Sequence, residues 1–233
     1  SSVFIKDNIV YFGSFNDTFY STNLTDGKLK LKFKTGYDPY FLPIINSKKI
    51  YFSSFDLNIY CIDTVGNLVW KTQTVDRVKN NLLEDDSSLF VSVRSDGLRA
   101  IKKSSGTTVW HLSQKSQSLS TNQPIIFKDI IYVGLWDLDN KVLAIDKNNG
   151  EIIWRNSYPK FSSSDPALTP NGLVISIDKY YKGGQVMMLN YNTGKEIWMT
   201  PLKCEALFKP YTNNQNRFAL LVGQVFSIHN VLL

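Results

Sequence analysis

The stretch Ala144-Ile145-Asp146-Lys147-Asn148-Asn149-Gly150-Glu151-Ile152-Ile153-Trp154 decides how the rest of the chain is read. It carries a small residue, an acid two positions on, a glycine, and a tryptophan four residues after the glycine. The Gly-x-x-x-Trp pair recurs at Gly66/Trp70, Gly106/Trp110 and Gly194/Trp198. With 13 glycines and 5 tryptophans in 233 residues, chance supplies about 0.3 such pairs. Copies at intervals of about 40–44 residues therefore make a repeat, and Gly27/Leu31 is a degenerate fifth copy without the indole.

Each copy brings the same flanks. Upstream runs a hydrophobic strand, "IVYFGS" (9–14), "KIYFSS" (49–54), "SLFVSV" (88–93), "IIYVGL" (130–135) or "GLVISI" (172–177). A short polar turn leads to a second strand, "TFYSTN", "NIYCID", "GLRAIK", "KVLAID" or "QVMMLN". The glycine turn and the tryptophan strand follow, and a short apolar segment such as "PIIN" (43–46) or "PIIF" (124–127) precedes the whole. Four short strands per period of about 40 residues predict an all-β protein built from propeller blades, each a four-stranded antiparallel sheet.

Both marker residues have a physical reason. "SSGT", "NNGE" and "NTGK" are hairpin turns that need a residue at positive φ, where glycine has no Cβ to clash. A four-stranded sheet cannot cover its own two faces, so a large ring must fill the wedge between neighbours. Burying one tryptophan is worth at most about 4–6 kcal/mol of transfer free energy. These indoles read as architecture rather than as an active site, with Gly66, Trp70, Gly106, Trp110, Gly150, Trp154, Gly194 and Trp198 as structural docking residues.

The pattern Ala-x-Asp-x-x-x-Gly-x-x-x-Trp over 144–154 resembles the tryptophan-docking repeat of the PQQ-like β-propellers, a group of quinoprotein dehydrogenases and BamB-like lipoproteins of outer-membrane protein assembly. The resemblance covers nearly the whole chain, and only the fourth copy matches every position. The second has Cys61 and Asp63 with a shorter turn, the third Ala100 and Lys102, the fifth Leu189 and Tyr191, the first Ser21 and Asn23. "VFSIHN" (225–230) aligns with "VLAIDK" and places Ser227 and His229 at the Ala and Asp positions. The expectation is a single propeller domain over 1–233, with blades near 3–35, 43–74, 81–114, 124–157, 166–201 and 210–233. Five blades are full and the sixth has three strands; a fragment of a larger ring is the alternative. The chain opens on Ser1 rather than Met, without a signal peptide, and reads as a processed protein or a piece of one.

Composition bounds function loosely. No apolar run has the length of a membrane helix. A net charge of +6 favours anionic partners or serves solubility, and its cations are spread over all repeats with no long basic run, which argues against nucleic acid. The two cysteines, Cys61 and Cys204, leave the redox compartment open: Cys61 stands where the repeat has a buried small residue, and its pairing with Cys204 stays open.

Quinoprotein chemistry, as the resemblance implies it, uses PQQ, calcium, an Asp base and often a vicinal disulfide. Here the cysteines are far apart and no carboxylate-rich cluster stands out, so no cofactor, metal or catalytic residue is assigned. "DLDN" (137–140) has calcium-friendly oxygens but lacks the glycine and distal Glu of an EF-hand and reads as a hairpin tip. His111 follows a docking tryptophan on an outer strand, where exposure is the default, and His229 sits at a turn position. Neither zinc spacing nor a phosphate loop appears, Gly183-Gly184 belonging to a hairpin. "KLKLKFK" (28–34) is read as an outer strand whose lysines deter edge pairing, ahead of a basic patch; "NDT" (16–18) and "NLT" (23–25) are glycosylation-type triplets that matter only in a secreted eukaryotic protein.

Geometry nominates one face. Second-to-third-strand hairpins and blade connectors share one side of the sheets, bringing together Phe15, Phe55, Arg94, Trp136 and Asp178, with Tyr180 and Tyr181 in the longer fifth hairpin. The first connector, "GYDPYFL" (36–42), adds Tyr37, Tyr40 and Phe41. Aromatic and Arg residues on one rim suit a protein-binding surface; the bland alternative has these rings folding inward to cap the core. The expected function is a non-catalytic protein–protein interaction scaffold, extracytoplasmic and periplasmic or outer-membrane-associated. By resemblance its partner is an outer-membrane assembly component, with no nucleic acid and no direct membrane insertion. The alternatives are a ligand-binding or sensor propeller of a larger protein, such as a receptor kinase or synthetase, and, more remotely, a degenerate PQQ-dependent dehydrogenase.

Overall fold

The computed structural model describes residues 3–46, 48–113, 120–121, 123–136, 141–158, 162–163, 165–178, 183–202, 211–212, 217–222 and 225–230. Among them every regular element is a β-strand, arranged as six antiparallel sheets in two compact units, Ser1–Lys115 and Ser116–Leu233.

In the first unit each sheet runs in chain order. Blade one is Val3–Lys6, Ile9–Ser14, Thr18–Asn23 and Leu29–Lys34. Blade two is Ile44–Ile45, Lys49–Ser54, Asn58–Asp63 and Leu68–Gln73. Blade three is Leu83–Glu84, Ser88–Val93, Gly97–Lys102 and Thr108–Ser113. In the second unit Ile130–Trp136, Lys141–Asp146 and Ile152–Ser157 form blade four, with the first-strand position filled by two short pieces, Ser120–Thr121 and Ile125–Phe127. Blade five repeats that split with Ser162–Ser163 and Ala167–Thr169 beside Gly172–Asp178, Gly184–Leu189 and Glu196–Leu202. A sixth sheet holds Tyr211–Thr212, Arg217–Val222 and Val225–Asn230. Among the described residues the fold is thus all-β, with five full propeller blades and a sixth of three strands.

The middle strands are buried on both sides because each side serves a different neighbour. In blade two, Ile50, Phe52, Tyr60 and Ile62 pack with Tyr11, Phe19 and Leu31 of blade one, where Phe19 stacks on Phe52 at 4.3 Å. The alternate residues Tyr51, Ile59 and Cys61 face the other way, onto Leu89, Val91, Val93 and Ile101 of blade three. Period-two alternation therefore produces near-continuous apolar runs, as in any strand covered on both faces. In the second unit Tyr132, Val142 and Ala144 meet Leu173, Ile175, Ile177, Met187 and Leu189 in the same manner.

The marker residues act across the seam between blades. Trp70 lies opposite Cys61, and the register slips between Cys61 and Ile62 so that Val69 is extruded as a bulge. Equivalent slips stand at Ser21/Thr22, Ala100/Ile101, Ala144/Ile145 and Met188/Leu189. Val69, Val109, Ile153 and Ile197 are the exposed residues at these bulges, which interrupt the outer edge of each sheet. The Trp70 indole nitrogen donates to Lys103 O at 3.0 Å, and its ring covers Gly106 of the next blade so closely that a Cβ there would stand 2.7 Å from it. Trp154 does the same in the second unit: its nitrogen donates to Tyr191 O at 2.7 Å, and a Cβ on Gly194 would sit 2.6 Å from the ring. Gly106 and Gly194 also adopt φ of 76° and 67°, so they need the missing side chain twice over. Leu31 takes the indole's place against Gly66.

One expectation changes. In the fifth repeat Met188, not Leu189, lies opposite Trp198, and Asn190 rather than Tyr191 receives the turn amides; Met188 stands as far before Gly194 as Ala144 stands before Gly150, and the register slips at the same place in both. His111 stays exposed on the outer strand, yet its Nε2 lies 3.2 Å from Asp96 Oδ2, a carboxylate that Arg99 Nε approaches at 2.6 Å. Cys61 is fully buried and its thiol is free; Cys204 and "DLDN" lie outside the described residues.

Two predictions follow from this packing. Gly194→Ala should cost about 2–3 kcal/mol in urea unfolding, whereas Gly27→Ala, at positive φ but with nothing within 4 Å, should cost only about 1 kcal/mol. Burial pushes the Cys61 thiol from 9.0 up to about 11. Its contribution to stability is then complete below roughly pH 9 and lost as pH rises through about 11. Peptide mapping after thiol labelling at pH 8 should find the Cys61 peptide unmodified in the native protein and modified in urea.

Candidate functional site

Connector and hairpin are joined by side-chain hydroxyls. Thr35 Oγ1 donates to Tyr37 O at 2.6 Å, and Ser54 Oγ donates to the same carbonyl at 2.6 Å. Phe55 N donates to Asp38 O at 2.9 Å, and Pro39 pairs with Ser54. Asp56 receives Gly36 N at 2.8 Å and the Tyr60 hydroxyl at 2.5 Å; burial first, and the Asp56 carboxylate second, hold that phenol protonated far above its ordinary range. Thr74 repeats the device one blade on, donating to Leu57 O and Asp76 O. Pro39 also presses on blade one, where a Cβ at Gly13 would stand 2.1 Å from Pro39 O. The connector is thus pinned from both sides, and Tyr40 and Phe41 are carried on a fixed backbone.

On that backbone Tyr40 stacks on Phe55, with centroids 4.7 Å apart, and meets Phe41 edge-on at 5.2 Å. The Arg77 guanidinium lies 4.8 Å above the Phe55 ring. With Val78, Lys79 and Arg94 these residues line a concavity of about 280 Å³. Three cations face it, and the Asp76 carboxylate lies 4.0 Å from Arg94 Nε while accepting Arg77 N at 2.7 Å. Such a site offers ring faces, a guanidinium and an ammonium to an incoming side chain, a donor set suited to recognition rather than to proton transfer.

Of the residues nominated from sequence, the structure brings together Tyr40, Phe41, Phe55 and Arg94. Phe15 and Tyr37 are strongly exposed, at 74% and 51%, but stand outside the lining. Trp136 closes the strand Ile130–Trp136, and its side chain lies outside the described residues, as do Tyr180, Tyr181 and the Asp178 side chain. Arg77 and Lys79 were missed. Their signal was the second connector, "TVDRVKN", equivalent to the aromatic first one. Among the described residues no group of three or more His, Cys, Asp and Glu side chains is placed to hold a metal ion.

Comparisons with known proteins accord with this architecture. The family model for the outer membrane protein assembly factor BamB matches residues 28–159 and 138–228. The crystal structure of BamB from Moraxella catarrhalis is similar over 97% of this chain and 67% of its own, at 19% identity and a TM-score of 0.68. The computationally designed Ika8 protein is similar over 99% of this chain and 83% of its own, at 12% identity and a TM-score of 0.64. At such identities these two structures speak to the fold alone. No curated protein matches the chain.

The pinned connector yields a prediction. Gly13→Ala should push Pro39 away and disturb the Tyr40–Phe55 stack. It should lower stability by about 2–3 kcal/mol and shift the Tyr40 and Phe55 ring resonances in NMR spectra.

Proposed function

Since the chain belongs to the PQQ-like propeller family of the outer membrane protein assembly factor BamB, we propose that it is a non-catalytic scaffold that binds another protein. The proposed surface is the connector face of the blades, with Tyr40, Phe41, Phe55 and Arg94 at its centre and Arg77 beside them. The observation that carries this reading is the open stack Arg77–Phe55–Tyr40, held on a hydrogen-bonded backbone. Rigid aromatic and Arg anchors around a concavity are the residue types that dominate protein interfaces, because they bury much area for little lost conformational entropy. The family supports an extracytoplasmic setting, periplasmic or at the outer membrane, and a partner among the outer-membrane assembly components. On this reading the chain inserts into no membrane, binds no nucleic acid and uses no cofactor. Phe15, Tyr37, Trp136, Tyr180 and Tyr181 extend the same proposed face.

Pull-downs from the native source test the reading. The wild-type chain should retain a partner that the Tyr40→Ala/Phe55→Ala variant loses, each substitution weakening capture by about tenfold. The melting temperature should move by only a few degrees, about 2–4 °C. Equal capture by wild type and variant removes this face from consideration.

A further inference from the structure

The repeat has one position where side chain and turn are coupled: Asn23, Asp63, Lys102, Asp146 and Asn190 in successive blades. In four of them the side-chain oxygen receives turn amides: Asn23 Oδ1 from Thr25 N at 2.7 Å, Asp63 Oδ1 from Asn67 N at 2.8 Å, Asp146 Oδ1 from Asn148 N at 2.8 Å, and Asn190 Oδ1 from Asn192 N at 3.0 Å. Lys102 has no acceptor to offer. Its turn closes through Gly106 N on Lys102 O at 2.8 Å, helped by the Ser105 and Thr107 hydroxyls, 2.8 Å apart. The third repeat thus gives up a capping oxygen and puts a cation in its place.

That cation lines a concavity of about 540 Å³ shared by blades two and three, at the strand ends opposite to those that carry the aromatic stack. Lys48 and Lys49 enter it from the hairpin of blade two, Lys103 and Ser104 from the turn after Lys102, and Asp86 is the one carboxylate in its lining. Lys103 is already committed, at 2.5 Å from Glu84 Oε2 and 2.8 Å from Asp85 O, and its ammonium stands 5.8 Å from the Tyr51 ring centre. Lys48, Lys49 and Lys102 make no ion pair among the described residues. Like charges gathered at one place, one of them at the expense of a turn cap, call for a counter-charge.

We infer that this concavity binds a phosphate-bearing ligand. Three uncommitted ammonium groups from two sheets suit an anion with several charged oxygens, which accepts from each lysine separately. The volume lies in the range of small-molecule sites, about 300–1,000 Å³. The phosphate arrives either on a soluble ester or on a phospholipid headgroup, and the two sources share the same lysines. The site is independent of the aromatic face.

The test measures calorimetric titration of the intact chain with inorganic pyrophosphate, and co-sedimentation with phosphatidylglycerol or phosphatidylcholine vesicles, at fixed ionic strength. Saturable one-to-one binding of pyrophosphate is expected. Sedimentation with phosphatidylglycerol alone, blocked by pyrophosphate, identifies the headgroup as a source; binding of pyrophosphate without vesicles identifies a soluble ligand. Lys102→Asp restores the capping acid, so it should melt no lower than wild type while losing affinity at least tenfold. Lys30→Asp makes the same charge change on the outer strand of blade one and should leave binding intact. Absence of binding to both probes overturns the inference. So does unaltered affinity in Lys102→Asp, or an equal loss in Lys30→Asp.

Discussion

Everything in this structure depends on an indole ring lying flat against a glycine that belongs to the following sheet. Trp70 over Gly106 and Trp154 over Gly194 leave no room for a methyl group between ring and backbone, and in each pair the ring nitrogen is satisfied by a carbonyl of the same turn. A polar group buried at a seam would otherwise count against packing, so the hydrogen bond and the ring contact have to be met by one geometry. The bulge opposite Cys61 and Ala144 belongs to that geometry, since each tryptophan pairs with these positions where the register slips.

From this seam the rest follows outward. Once neighbouring sheets are locked, the short connectors between them have few ways to run, and hydroxyls at Thr35, Ser54 and Thr74 bind their carbonyls. Side chains on such a segment are held in fixed positions by these bonds and by Phe41, which packs against the core. That is why the connector can hold Tyr40 at the surface, stacked on Phe55, while its neighbour Phe41 meets Tyr40 edge-on and packs against the core of blades two and three.

Much of the fold was legible in the residues because its two markers are chemically irreplaceable: glycine for the left-handed turn and a large ring for the wedge. Strands such as Lys49–Ser54 and Asn58–Asp63 fall where the apolar runs place them. The fifth repeat reads one residue out of place because neither Met188 nor Leu189 is the small residue that marks this position in the fourth, although the spacing back from Gly194 points to Met188 and the sheet register agrees. The candidate site was half legible. Tyr40, Phe41, Phe55 and Arg94 stand out by type, while Arg77 and Lys79 are marked only by their place in the second connector, and they matter because that connector lies against the Phe55 hairpin of blade two. His111 shows the same limit: its approach to Asp96 bridges an outer strand and a hairpin fifteen residues back.

The contact between ring and glycine is also polar in the sense of chain direction: blade two supplies the indole, blade three the notch, and blades four and five repeat the order. A module of this kind carries peg and socket at once, so a tandem copy arrives already fitted to its parent. Growth of such an array by segmental duplication requires no newly invented interface. A lesion in one module's turn is felt first by the module that precedes it.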